Sequence, residues 1–369
     1  MSILYDEGQQ AIATESRRVL DARTSKQRLL GLLEQTGAYD SPFWDTAVEQ
    51  GWTALAIPEA HGGLGLGLIE FGLVAQACGA ATAGAPFLTT GYAVSRAIVG
   101  SGDADLQARW LPRLAAGESL GAVALAEGTT PLPTRPAVRY VGGLLTGTKH
   151  AVPGGIKADI ALVWADHEGA PALVLAELDG AACIPVDSFD NARLHADLVF
   201  AGTPATLLAS GAAAKTLALD LLARMAIVTA HEQVGGAEAL MLTARDYALT
   251  RRAFGQPIGA FQSVKHRIAE LYGLVEIARA NCIHAAGLAD SEQGNLSALV
   301  IAAADARLAA TEAYDTCARD CMQVHGGIGV TWEAGIHLHM RRTRSLAIEQ
   351  GNMLFWEDLL VEQLTGVAA

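Results

Sequence analysis

Between Ala212 and Thr250 the sequence runs with almost no helix breaker, only Gly235-Gly236 interrupting it. Phe261 to Gly287, Leu296 to Gln323 and Leu346 to Leu364 have the same character. Long helices joined by short links predict an antiparallel bundle. The stretch from Asp6 to about Gly117 is also helical in pattern, with Ile12, Val19, Leu20 and Leu29 near helical spacing. Its breakers are Gly37, Ser41-Pro42 and the run from Ile57 to Gly63. Ser41-Pro42 reads as a helix start with Pro in the first helical position, and Leu106 to Ala116 as a further short helix. From Ser119 to about Thr206 short apolar runs alternate with turn residues instead: Gly121 to Ala126, Arg139 to Leu145, Ile160 to Ala165, Ala172 to Leu178 and Leu198 to Phe200. That texture predicts several short antiparallel strands. Helices, then strands, then helices is not the alternation of a Rossmann fold. The expected class is α+β, divided at 1–117, 118–206 and 207–369.

The 369 residues suggest about two to three domains at roughly 100–200 residues each. With 26 Lys+Arg against 39 Asp+Glu the net charge is −13. That balance argues against a nucleic-acid partner, whose phosphates call for a basic surface, and against an anionic membrane surface. Apolar residues reach 51%, but no stretch of about 18 is free of interruption, so no transmembrane helix is expected. Met1 to Arg23 carries Asp6, Glu7 and Glu15 with no apolar signal core, so the expected location is the cytoplasm. The five cysteines (Cys78, Cys183, Cys282, Cys317, Cys321) are odd in number and contain no CxxC, against a disulfide framework or a structural zinc site. A high apolar fraction with only 18% charged residues implies large subunit interfaces, hence an oligomer.

Three segments attract chemical interest. Gly62-Gly63-Leu64-Gly65-Leu66-Gly67 lacks the Lys-Ser/Thr end of a phosphate loop and follows no strand, so a tight turn between helices is the better reading. Arg251 to Gln262 lies between two long helices and presents an Arg with an aromatic. The Arg can pair with a pyrophosphate and Phe254 can lie along an apolar ring, or the segment is a plain connection. Gln323-Val324-His325-Gly326-Gly327-Ile328-Gly329 permits close backbone approach to a ligand, or simply ends a helix. His337 and His339 are two apart and face different sides of a helix, so no metal site is expected. Arg341, Arg342 and Arg344 form surface ion pairs or hold a phosphate.

Together these segments resemble the acyl-CoA dehydrogenase family over essentially the whole chain. Ile57-Pro58-Glu59-Ala60-His61-Gly62-Gly63-Leu64-Gly65 is similar to the family's N-terminal helical motif, and Leu145-Thr146-Gly147-Thr148-Lys149 to its β-domain motif. Arg251-x-x-Phe254-Gly255 with Phe261-Gln262, and Gln323-x-x-Gly326-Gly327, resemble its two most specific C-terminal motifs. The resemblance implies an N-terminal helical domain, a central small β barrel and a C-terminal four-helix bundle. It also implies FAD, an acyl-CoA thioester substrate and an electron-transfer flavoprotein as acceptor. A carboxylate takes the α-proton while the β-hydrogen leaves as hydride to the flavin. In the family the C-terminal motifs reach the adenosine diphosphate part of a neighbouring subunit's FAD. Arg251, Phe254, Gln262, Gln323, Gly326 and Gly327 match those positions.

The departures are as informative as the matches. The family's base lies in a Tyr-Glu-Gly-Thr motif, and this chain reads Ile348-Glu349-Gln350-Gly351-Asn352. Anchoring on Met340-Arg341 and Gly351 puts Gln350 in the base position, and a neutral amide cannot abstract the proton. Glu349, one residue away, is the remaining candidate base. At the second base location, on the first bundle helix, stand Arg224 and Met225. On the flavin-ring side Ala126-Glu127-Gly128 replaces Thr-Glu-Pro, and Ala151-Val152-Pro153 replaces Trp-Ile-Thr. The chain thus keeps what serves a neighbour's FAD and loses what serves its own. That pattern, with Ala230-His231-Glu232-Gln233-Val234-Gly235-Gly236-Ala237, resembles the non-catalytic partner chains of heteromeric α2β2 bacterial dehydrogenases that shorten sterol side chains. A self-sufficient homomer using Glu349, and a catalytically dead CoA-thioester-binding or structural protein, are the competing expectations.

Overall fold

A computed structural model describes residues 5–83, 87–291 and 295–366. The ends 1–4 and 367–369, which the first and last expected domains include, lie outside the described residues. Six helices come first: α1 (Glu7–Arg23), α2 (Lys26–Leu33), α3 (Ser41–Glu49), α4 (Leu68–Ala80), α5 (Phe87–Ser101) and α6 (Ala104–Ala115). Local chemistry sets their starts. The Asp6 carboxylate accepts from the Gln9 N–H at 2.8 Å while the Gln9 side chain accepts from the Asp6 N–H at 3.2 Å, a reciprocal cap on α1. Asp40 caps α3, with Pro42 in its first turn, and Asp103 caps α6.

Seven strands follow: β1 (Gly121–Ala124), β2 (Arg139–Val141), β3 (Leu144–Val152), β4 (Ile160–His167), β5 (Ala170–Glu177), β6 (Ala182–Pro185) and β7 (Ala196–Ser210). Five of them close on themselves. β4 pairs with β2 and β5, β2 with β3, β3 with β7, and β7 with β5. β1 runs parallel to β4, and β6 lies antiparallel along β7. Small apolar side chains fill the interior of this narrow barrel, among them Ala161, Val163 and Ala165 of β4 and Ala172, Val174 and Ala176 of β5. The run Arg139 to Leu145, expected as one strand, is a hairpin. Gly142 and Gly143, with φ of +58° and +85°, make the tight turn that right-handed strand twist favours.

The remainder is helical: α7 (Gly211–Thr250), a two-residue hairpin of β8 (Arg252–Ala253) and β9 (Gln256–Pro257), α8 (Gln262–Asp290), α9 (Leu296–His325), α10 (Ile336–Leu346) and α11 (Met353–Thr365). The expected fourth helix, Leu346 to Leu364, does not exist as one element. Gln350 and Gly351 have φ of +56° and +105°, and Asn352 then caps α11 through the Phe355 N–H at 3.0 Å. Positive φ at two successive residues cannot continue a right-handed helix. By its internal contacts the chain divides into two compact units. One comprises Met1–Gly31, Gly72–Ala83 and Ala226–Ala369, the other Leu32–Phe71 and Gly84–Met225. The second unit groups β1 to β7 with α3, α5 and α6. Among the described residues no helix is long and apolar enough to cross a membrane.

Candidate functional site

α7 ends in a loop built to present side chains outward. The Arg251 N–H donates to the Tyr247 carbonyl at 2.8 Å, closing the last helical turn, and the Ile258 N–H returns to the Arg251 carbonyl at 2.8 Å. Between them the β8–β9 hairpin turns at Phe254-Gly255, with φ of +50° and +80°. Glycine takes that conformation freely, whereas Phe254 gives up about 1–2 kcal/mol. The chain returns little for it. Phe254 is 95% exposed, with one edge-to-face contact to Phe261 at 6.2 Å between centroids.

The second loop leaves α9. His325 Nδ1–H donates to the Cys321 carbonyl at 2.8 Å, and its ring stacks on Tyr247 at 4.1 Å and 25°. The stack joins the ends of α7 and α9, so the two loops share one end of the helical unit. Arg251, Phe254, Gln262, Gln323, Gly326 and Gly327 are all exposed there. A side chain added at Gly326 or Gly327 would meet nothing within 4 Å. Gly326 has φ of +61°, whereas Gly327 is not left-handed. Among the described residues nothing requires glycine at 327, and its backbone is open. Leu249, Ile328, Val330 and Trp332 add exposed apolar surface alongside.

The base position lies in the turn between α10 and α11. Gln350 reaches α7, where its Oε1 accepts from the Thr229 hydroxyl at 2.9 Å. Glu349 is 6% exposed, and its carbonyl accepts from Arg307 Nη2 at 2.9 Å. The same guanidinium donates to the Leu346 carbonyl, to Gln233 Oε1 and, at 3.1 Å, to the Thr311 hydroxyl. Arg307, only 1% exposed, therefore pins the turn from beneath. Arg307 shares α9 with Asp305, Glu312, Asp315, Arg319 and Asp320, so no sequence signal singles it out. At the second base location Met225 is buried, and Arg224 Nε lies 3.0 Å from both Asp220 oxygens.

In the β domain the segments 126–128 and 151–153, which the resemblance sets beside a flavin ring, are bonded inward. Glu127 accepts from the Ala137 N–H at 2.8 Å and pairs with Lys149 Nζ at 2.6 Å. Lys149 is wholly buried and also donates to the Leu125 carbonyl at 3.1 Å. Burial pulls its pKa down, and Glu127 pulls it back up in part. The Ala151 N–H donates to Asp197 Oδ1 at 2.9 Å, Asp197 also bonds His150, and these two contacts hold the Asp197 carboxyl below its usual range. Pro153 has no N–H. These segments are thus bonded within the β domain, whereas the side chains of the α7 and α9 loops are exposed.

Other singled-out segments are structural. Gly63 leaves no room for a Cβ beside the Ile57 carbonyl, and the N–H groups of Leu64, Gly65 and Leu66 bond Ala54, Ile57 and Leu55 carbonyls. That glycine run is a turn with its donors spent. In Ala230 to Ala237 each polar side chain has a partner: His231 Nδ1 accepts from Gln76 at 2.9 Å, Glu232 pairs with Arg342 at 2.8 Å, and Gln233 with Arg307. A Cβ on Gly79 would overlap the Glu232 carbonyl, and one on Gly235 the Gln76 carbonyl. These glycines let α4 and α7 touch backbone to backbone. Among the described residues no group of three His, Cys, Asp or Glu is placed to hold a metal.

The family follows from comparison with known proteins. The acyl-CoA dehydrogenase N-terminal domain model matches residues 6–118, and the corresponding C-terminal domain model matches 216–354. The chain belongs to the acyl-CoA dehydrogenase family, whose members are oxidoreductases. Acyl-CoA dehydrogenase IpdE2 of Mycobacterium tuberculosis is 34% identical over 84% of this chain and 82% of its own. Among solved structures, the steroid ACAD Tcur3481-Tcur3483, in a variant form, has TM-score 0.87 at 26% identity, covering 98% of each chain. The ChsE4-ChsE5 complex of Mycobacterium tuberculosis (TM-score 0.88, 24% identity, 100% of each chain) shares the fold. So does a glutaryl-CoA dehydrogenase of Mycobacterium smegmatis solved with FADH2 (TM-score 0.87, 23% identity, 99% and 96% covered).

Proposed function

We propose that this chain is a subunit of a heteromeric FAD-dependent acyl-CoA dehydrogenase, supplying adenine-side contacts to FAD while a homologous partner chain supplies the base. The observation that carries the reading is the contrast between two loops of the same helical unit. Phe254 stands 95% exposed in a left-handed conformation beside open glycines, while the base position holds Gln350, its amide oxygen spent on Thr229. An exposed aromatic at energetic cost, with no covering group of its own, fits a surface completed by another molecule.

In this reading Arg251 pairs with the pyrophosphate, Phe254 lies along an apolar face, and Gln262, Gln323 and the Gly326-Gly327 backbone complete the grip. Bound there, FAD would supply the acceptor for the hydride lost from the β-carbon of the acyl thioester. Arg307 fixes the Glu349–Gln350 turn but puts no proton acceptor at Gln350. The likeness to a steroid ACAD and to a two-chain ChsE4-ChsE5 complex supports a heteromeric assembly acting on a ring-bearing acyl group. An electron-transfer flavoprotein as acceptor and a cytoplasmic location belong to the same reading, as do the limits 1–117, 118–206 and 207–369.

A second reading, a self-sufficient homomer, is favoured by one observation: Glu349 is a buried acid beside the base position. Purifying the chain alone and together with its partner separates the two. The heteromer reading expects dehydrogenation only from the pair, and unaffected by Glu349→Gln in this chain. Turnover by the lone chain, abolished by Glu349→Gln, establishes the homomer instead.

A further inference from the structure

We propose that the Tyr247–His325 stack is a positioning device that keeps the Arg251 loop and the Gln323–Gly327 loop in register for one ligand. The inference rests on the reading that these loops bind the adenine side of FAD. Each loop is tied firmly to its own helix. The Arg251 N–H bonds the Tyr247 carbonyl, a Cβ on Gly259 would meet the Ala248 carbonyl at 3.0 Å, the Gly326 N–H bonds back to α9, and the Gly329 N–H bonds the Gly326 carbonyl. Those bonds set each loop against its own helix. Arg267 of α8 pairs with Asp320 of α9 at 2.8 Å, and the stack adds the contact that joins the last turns of α7 and α9 themselves.

Its geometry suits the task. The rings lie 4.1 Å apart and 25° from parallel, joining the last turn of α7 to the last turn of α9. His325 cannot swing freely, because Nδ1–H is held by the Cys321 carbonyl at 2.8 Å and Cys321 is fully buried. Tyr247 is bonded through its own carbonyl to Arg251, so any shift of the Tyr247 ring and backbone reaches the guanidinium-bearing residue directly. A ligand gripped from two loops tolerates errors of only about 0.5 Å in their placement. The two residues touch no FAD in this account; they act through Arg251 and through the Gly326-Gly327 backbone.

The test uses the assembled complex carrying this chain. FAD affinity is read by flavin fluorescence, and the unfolding midpoint is read on the complex stripped of FAD. His325→Ala and Tyr247→Leu are each expected to weaken FAD binding about tenfold, and His325→Phe, which keeps a stacking ring, to restore it to within about threefold. His325→Ala and His325→Phe are expected to unfold at similar temperatures without FAD, which separates positioning from loss of structure. Arg251→Ala serves as the reference for the underlying reading. If Arg251→Ala weakens FAD while His325→Ala and Tyr247→Leu bind it like the wild type, the positioning role is wrong and the reading stands. Failure of His325→Phe to restore binding also overturns it. If Arg251→Ala changes nothing, the adenine-side reading falls and takes this inference with it.

Discussion

Two kinds of glycine in this chain do opposite things, and substitution separates them. Gly235 exists because the α7 backbone must meet the Gln76 carbonyl of α4 directly. Gly235→Ala is expected to cost about 3 kcal/mol or more, since neither backbone can move away without opening the crossing. Gly327 meets nothing in its own chain. Gly327→Ala is expected to leave the unfolding midpoint of the FAD-free protein unchanged while weakening FAD binding; denaturant melts and flavin titration read the two effects independently. His231 gives the same crossing a pH dependence. Burial first, and the Arg279 charge after it, lower its pKa from 6.5 to about 4, against a raising contribution from the Cys282 backbone. The unfolded chain therefore binds a proton below about pH 6.5 that the folded chain refuses until about pH 4. Stability is full above that window and falls through it by about 1.4 kcal/mol per pH unit from this residue. Urea unfolding at pH 7.5, 5.5 and 4.5 checks the slope, and a flat profile over the window removes His231 from the account.

At the level of elements, the long helices and the change of texture to strands were readable because periodicity survives along many residues. Ala212 to Thr250 became α7 almost residue for residue. Breaks carried by one or two residues were not readable. Gly142-Gly143 reads as part of a strand until pairing across it is known, and Ala347 to Asn352 reads as helix because only Gly351 marks the stop. In the candidate site Arg251, Phe254 and the clustered glycines singled out two loops that are indeed exposed, although the sequence fitted a plain connection and a helix end equally well. Arg307 and the Lys149–Glu127 pair were not, because their meaning lies in which carbonyls and carboxylates tertiary folding brings to them. The barrel pair carries its own prediction. Lys149 is wholly buried, whereas the Glu127 side chain keeps 20% exposure. Glu127→Ala strands a buried ammonium and is expected to cost roughly 3 kcal/mol; Lys149→Met leaves a carboxylate that water can reach and is expected to cost about 1 kcal/mol. Chemical unfolding of the two variants gives the order, and the reverse order would show that the carboxylate, not the ammonium, is the more strongly desolvated partner.

For the whole molecule, the surface records what the chain needs from outside. Phe254, Leu249, Val330 and Trp332 are exposed at one end of the helical unit, and Ile348, Leu354, Val361 and Leu364 are exposed on and before α11. Such surface is uncommon on a protein that works alone, and it agrees with the low charged fraction of 18%. The acyl-CoA dehydrogenase fold is present, but its polar groups are used unevenly. The Arg251 and Gln323–Gly327 loops are exposed, while Gln350, Glu127 and Ala151 are bonded within the chain. The most direct test of this division is the ratio of bound flavin to polypeptide in the native assembly, by flavin absorbance against amino-acid analysis. One FAD for every two chains is expected, with this chain and a homologous partner in equal amounts. A homomer of this chain holding one FAD per polypeptide, and oxidising acyl-CoA unaided, would contradict it.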